Sequence, residues 1–199
     1  MKKVIETLKK RGFLTIECDN AEDAKKYLLN EIPPDKSVGI GGSVTIEQLQ
    51  IYEDLINRGN TIYWHWKPQN DIFTERMNAS SSDVYLCSVN ALLTDGRMIN
   101  IDGTGNRLSA TLWGPKQVYI VIGKNKIVDG GLDDGIDRIK SVACPENAKR
   151  LGLNTPCALT GKCNDCSSEQ RMCNATLIIE KSLGSHPITV LIVNEELGY

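Results

Sequence analysis

The chain alternates short amphipathic stretches with short apolar runs, and the period of each predicts an element. Val4, Leu8 and Arg11 share one side of "VIETLKKRGF", which predicts a short helix ended by Gly12. "FLTIEC" reads as a strand, and Asn20 caps a helix through "AEDAKKYLLNEI" that stops before Pro33 and Pro34. "SVGIGG" is a glycine-ended strand. After it, Thr45 and Gln48 form a capping-box pattern, opening a helix with Ile46, Leu49, Tyr52 and Ile56 on one face and Gly59 at its close. "TIYWHW", "DVYLCS" and "RMINI" are three further strands, and "GTGNRLSATLW" is a glycine-led helix.

"QVYIVIG" is apolar without interruption, the pattern of a strand covered on both faces. In "GLDDGIDRIKSV", Leu132, Ile136, Ile139 and Val142 make one helical stripe. Pro145 interrupts it and starts a further stretch of helix through Arg150. "ATLIIEK" and "ITVLIV" predict a closing strand pair joined by the turn "SLGSHP". This order of elements predicts an α/β fold with a mostly parallel sheet, built as one domain over residues 1–199. Residues 154–173 form a small cysteine-rich excursion from it.

Composition narrows the function classes. Of 199 residues, 41% are hydrophobic and 24% charged, ordinary values for a soluble globular domain. A net charge of -2 gives no electrostatic reason to expect nucleic acid or an anionic membrane as partner. The basic start (Lys2, Lys3, Lys9, Lys10, Arg11) is interleaved with apolar residues and reads as a solvated helix face. No apolar run approaches a membrane span and no signal-peptide core is visible, so a cytoplasmic protein with reduced cysteines is expected.

Two glycine-bearing segments are candidates for ligand binding. In "VGIGGSVT" a strand runs through Gly41, Gly42 and Ser43 into a helix near Thr45, an arrangement that suits an anion. The dinucleotide fingerprint fails there, because Val44 stands where its third glycine belongs, so no nicotinamide cofactor is expected. In "NALLTDGRMINIDGTGNR", Asn100 and Asp102 lie in or at the end of a strand. Gly103 and Gly105 let backbone approach a ligand, while Thr104, Asn106 and Arg107 supply a hydroxyl, an amide and a cation. Asp102 is the one candidate general base. Of the two histidines, alternation places His65 on a sheet face with Tyr63, and His186 reads as a surface residue of a hairpin turn. Ser43 and Ser88 have no identifiable base.

The string "SVNALLTDGRMINIDGTGNRLSATLWGPKQVYIVIGKNKIV" resembles the LUD domain, a lactate-utilisation type of protein. The likeness continues through "GIDRIKSVACPENAKRLG", "PCALTGKCNDCSSEQRMCN" and the terminal "LGY", with "VGIGGSVTIEQL" upstream. The resemblance implies a Rossmann-like three-layer α/β fold, related to ribose-5-phosphate isomerase, glucosamine-6-phosphate deaminase and CoA transferases. It implies a role beside iron–sulfur partner proteins in oxidising L-lactate to pyruvate, with an anionic metabolite held at the two glycine-bearing segments. It carries over no catalytic residue. Two other functions remain open at this point: a stand-alone enzyme acting on a sugar phosphate or CoA ester, and a non-enzymatic metal-dependent binding or sensing module. The oligomeric state is not specified, a homo-oligomer being one option.

Four of seven cysteines crowd into "PCALTGKCNDCSSEQRMC". Cys157, Cys163, Cys166 and Cys173 are separated by five, two and six residues, enough thiolates for one zinc ion or one iron–sulfur cluster. The spacing fits neither a zinc ribbon nor a plant-type ferredoxin, and free or redox-active thiols, and after them disulfides, are the alternatives. Lys162 and Arg171 would offset thiolate charge. Cys18, Cys87 and Cys144 read as small core residues.

Overall fold

The computed structural model describes residues 1–184 and 186–199. In chain order the elements are α1 (Lys2–Lys10), β1 (Leu14–Cys18), α2 (Ala21–Glu31), β2 (Ser37–Ile40), α3 (Val44–Gln48), α4 (Tyr52–Asn57) and β3 (Thr61–Trp64). There follow α5 (Ile72–Ser80), β4 (Val84–Cys87), β5 (Ala91–Leu93), β6 (Met98–Asp102), α6 (Asn106–Leu112), β7 (Gln117–Gly123) and β8 (Ile127–Val128). The last are α7 (Leu132–Arg138), α8 (Cys144–Arg150), α9 (Pro156–Thr160), β9 (Ala175–Ile179) and β10 (Ile188–Val193).

Six strands form an all-parallel sheet in the order β1-β10-β7-β4-β2-β3. Two neighbouring inner strands, β10 and β7, are the two continuous apolar runs, and their side chains divide between two cores. Tyr119, Val121, Leu191 and Val193 face α2, α3 and α4, whereas Val118, Ile120, Val190 and Ile192 face α1 and α6. Each such side chain, fully buried, contributes roughly 1.5–3 kcal/mol relative to exposure. The sequence therefore fixes a three-layer α/β arrangement by requiring helices on both faces.

A second sheet, β8-β5-β6-β9, lies beside the first. Leu92, Met98 and Ile179 point into the core shared with α1, while Ala91, Leu93, Ile99 and Ile101 face Ile139, Ala143 and Cys144. The expected pairing of the last two strands does not occur. Strand β9 runs antiparallel to β6 in the small sheet, and β10 crosses into the large one, between the edge strand β1 and β7. The turn at 182–187 includes Ser185, which lies outside the described residues. His186, expected at the surface, is buried.

Two helices differ from expectation for local reasons. The stretch beginning at Thr45 is broken by Gln50 in the left-handed region (φ 52°), so α3 and α4 are separate. The break turns Ile51 and Leu55 into the core and leaves Tyr52 at its edge and Ile56 exposed. The cap is Ser43, whose Oγ accepts from Ile46 N, and not Thr45. At the other site Pro145 does not interrupt the helix. Lacking an N–H, it cannot bond the carbonyl one turn back, and a π-turn over Ile139–Ala143 absorbs the mismatch between α7 and α8. The stripe shifts accordingly, burying Gly135, Ile139 and Ala143 while Val142 is exposed. Helix α5, not anticipated from the hydrophobic pattern, is capped by Asp71, whose carboxylate accepts from Phe73 N and Thr74 N.

Candidate functional site

The carboxyl ends of β2, β3, β4 and β7 meet the end of β6, the place where open α/β sheets present groups to ligands. A cavity of about 390 Å³ opens there, large enough for a small metabolite. Gly42, Ser43, Thr45, Asp102, Gly103, Thr104, Asn106 and Arg107 line it, so both glycine-bearing segments converge on one pocket. Gly41, Asn100 and Gly105 stand outside the lining. Asn100 is buried in the small sheet, where its Oδ1 accepts from Asn90 N. Helix α3 has only five residues, and Ser43 already caps it, so a helix dipole is not what would hold an anion here.

Asp102 spends its carboxylate on its own loop. Oδ1 accepts from Thr104 N (3.1 Å) and Gly105 N (3.3 Å), and Oδ2 is 3.5 Å from Arg107 Nε. Arg107 is similarly committed, donating to Ser88 O, Asn90 Oδ1 and Ile101 O. These two residues tie the end of β6 to β4 and leave little capacity for a ligand.

Two polar groups of the pocket escaped the sequence reading, and a third was placed elsewhere by it. The most consequential is Lys126, delivered by the 3-10 turn Lys124–Lys126 directly after β7. It is buried, and its Nζ lies 2.7 Å from Thr45 Oγ1 and 3.0 Å from Ser88 Oγ. Thr45 donates its own hydrogen to Leu197 O, and Ser88 to Val89 O, so both hydroxyls accept from the lysine. One position on the nitrogen is left for a ligand. Burial, reinforced by the Arg107 and Arg138 cations, brings the lysine down to about 7. Its signal in the sequence was its place, a cation just past the carboxyl end of a fully apolar strand.

The second is Arg76 on α5, which lines the pocket with a buried Nε that has no partner among the described residues. The third is His65. Strand β3 ends at Trp64, so His65 leaves the sheet and enters the pocket instead of staying on the face of Tyr63. Burial, with help from Arg76, holds it down at about 4, a neutral imidazole at ordinary pH.

The C-terminal tail closes one side. Gly198 N donates to Gln48 Oε1 (2.7 Å), and Tyr199 Oη donates to Asn147 Oδ1 (2.7 Å) while accepting from Arg150 Nε. The Arg150 guanidinium stacks on Trp66 at 4.3 Å. Around the cavity stand Arg76, Arg107, Lys126 and Arg150, and among the described residues that line it Asp102 is the one with an acidic side chain.

The cysteine loop forms the remaining wall. Met172 lines the pocket, a Cβ added to Gly103 would stand 3.1 Å from Met172 O, and Asn174 N donates to Asp102 O. Cys157, Cys163, Cys166 and Cys173 are free and half-buried. Among the described residues no three His, Cys, Asp or Glu side chains are gathered at metal-binding spacing. Cys144, expected only as a core residue, also lines the pocket. Burial pushes its thiol up to about 12, and Cys173, Cys163 and Cys157 add to that push.

The LUD domain family model matches residues 1–193. The fold is similar to the crystal structure of a DUF162 family protein from Deinococcus radiodurans, at 12% identity and a TM-score of 0.53, over 96% of this chain and 94% of that one. A search of curated proteins finds no match. Among the described residues no helix is long and apolar enough to cross a membrane.

Proposed function

The chain belongs to the LUD domain family, and we propose that its pocket binds a small organic-acid anion, such as lactate or pyruvate, in the service of organic-acid oxidation. The observation that carries this reading is a pair of cations with unspent donors. Lys126 has one position free after bonding two hydroxyls, and Arg76 Nε has no partner among the described residues, while the facing Asp102 carboxylate is already engaged by Arg107 and its own loop. A carboxylate entering the pocket would satisfy both cations in a low-dielectric setting where such bonds are strong. Family membership supports lactate utilisation as the setting, and iron–sulfur proteins as electron partners are part of the proposal.

Size favours a small acid over a CoA ester, most of which would stay outside a cavity of about 390 Å³. The test is calorimetry of the purified chain with L-lactate, pyruvate, ribose 5-phosphate and the neutral analogue lactamide. Binding of a carboxylate but not of lactamide, weakened at least tenfold in Arg76→Gln, is expected. Binding of the sugar phosphate alone, or turnover of it by the isolated chain, would replace this reading with that of a self-sufficient sugar-phosphate enzyme.

A further inference from the structure

A lysine shut inside a protein is ordinarily matched by a carboxylate. Lys126 is 4% exposed, and among the described residues no carboxylate side chain pairs with it. Asp102, the acidic residue on the pocket wall, lies against Arg107 instead. The charged groups that act on the lysine are the cations Arg107 and Arg138, both engaged elsewhere, Arg138 by donating to Asn90 O and Asn125 O. Cys87, on β4, stays a neutral thiol, pushed up to about 11 by burial. Burial and the two cations disfavour the ammonium form of Lys126 and bring it down to about 7. At ordinary pH a large share of the chains therefore carries a free amine in the pocket, the form in which lysine is a nucleophile.

The hydrogen bonds leave the lone pair of that amine unoccupied. Thr45 and Ser88 give their own hydrogens to carbonyls, Leu197 O and Val89 O, so each accepts from Nζ, at 2.7 and 3.0 Å. A neutral amine has two hydrogens and one lone pair. The two hydroxyls take both hydrogens, and the lone pair holds the remaining tetrahedral position. The tail that passes Nζ carries no side chain there. Asn125 clamps it, accepting from Leu197 N at 3.1 Å and donating to Gly198 O at 3.0 Å. The residue nearest the nitrogen is Gly198, whose added Cβ would stand 3.2 Å from it. Lys126, Thr45, Ser88 and Gly198 all line the cavity.

We infer that Lys126 is a nucleophile that captures a 2-oxo acid in the pocket as an imine. This rests on the reading that an organic-acid anion occupies the pocket, and adds a bond that pyruvate can form and lactate cannot. The lone pair of Nζ bonds to C2 of the oxo acid, the carbonyl π pair moves onto oxygen, and a proton passes from nitrogen to that oxygen. The oxygen takes a second proton and leaves as water while the nitrogen's electron pair closes the C=N bond. Amine, oxo acid and one proton thus give an iminium ion and one water, with no oxidant or reductant. Thr45 and Ser88, hydrogen-bonded to the nitrogen, stand where those protons move. The carboxylate of the acid goes to Arg76, whose buried Nε has no partner among the described residues. The captured acid keeps its negative charge beside a positive nitrogen, so the adduct suits the pocket as the free anion does.

The test incubates the full chain with pyruvate at about pH 7.5 and adds cyanoborohydride, which reduces an iminium ion to a stable secondary amine. Mass spectrometry of the intact chain and of its peptides then counts and places the adduct. One adduct per chain, on Lys126, is expected, and L-lactate, which has no carbonyl, should give none. Lys126→Met should lose the adduct, and Arg76→Gln should slow its formation at low pyruvate by about tenfold. The position of the adduct is read in the parent chain, so the result stands even if a variant fails to fold. No adduct, or adducts spread over surface lysines without preference for Lys126, overturns the inference. If calorimetry then still shows pyruvate and lactate bound, the covalent step alone is lost and the anion site remains. No adduct together with no binding of either acid removes both.

Discussion

Lys126 Nζ donates to Thr45 Oγ1 at 2.7 Å, joining the turn after β7 to the first turn of α3 across 81 residues of sequence. The bond lies inside the protein, so the lysine is held where its charge is costly. In the folded state it loses its proton at about 7, whereas in the unfolded chain it does so near 10.5. Between those values the unfolded chain binds more protons, so stability rises with pH across that window. Relative to Lys126→Met, the parent chain should gain about 1–4 kcal/mol between pH 7 and pH 10. Urea unfolding of both proteins at several pH values measures it; parallel curves would show that the lysine is not desolvated.

A bound carboxylate reverses part of that effect, because it favours the protonated amine. Acid binding should therefore tighten as pH falls from 8 to 6 and should be accompanied by proton uptake near pH 7. Calorimetry in buffers of different ionisation enthalpy reads the uptake directly. Equal heats in all buffers would place the anion elsewhere than beside Lys126.

His65 carries the opposite practical message, that it is not a switch at neutral pH. Its folded value of about 4 lies below the ordinary 6.5, so the unfolded chain takes up a proton first on acidification. The resulting stability is complete above 6.5 and is lost as pH falls toward 4. The parent should lose about 1–3 kcal/mol more than His65→Gln between pH 7 and pH 4.5. Between pH 7 and pH 8 the two should respond alike, which chemical denaturation can check.

Gly198 makes the tail's approach to the pocket possible. Its φ is +62°, and an added Cβ would stand 2.5 Å from Thr45 Oγ1 and 3.2 Å from Lys126 Nζ. Gly198→Ala should push the tail away, weakening acid binding roughly tenfold while costing about 1 kcal/mol of stability or less, since few buried contacts are lost. A variant that binds as tightly as the parent would show that the tail is not part of the site.

Much of this was legible along the chain. The unbroken apolar runs of β7 and β10 require two covered faces, Asn20 caps α2 through its bond from Asp23 N, and the DGTGNR loop lies on the pocket rim. These are local facts, fixed by side-chain period, capping chemistry and glycine. Other features depend on where distant segments meet. A lysine three residues beyond a strand reads as a surface residue until Thr45 and Ser88 enclose it, and Arg76 sits on a helix with too weak a periodic pattern to be noticed. The apolar alternation of β9 and β10 says that both are strands, but which sheet each joins is decided by the burial available between β1 and β7. Cys144 shares its helix face with Lys140 and Asn147, whose partners lie 25 residues further on in each case, and only the folded loop brings them over it. Local period and capping therefore determined the elements, while long-range packing decided which polar groups were shut away from water and so which could do chemistry.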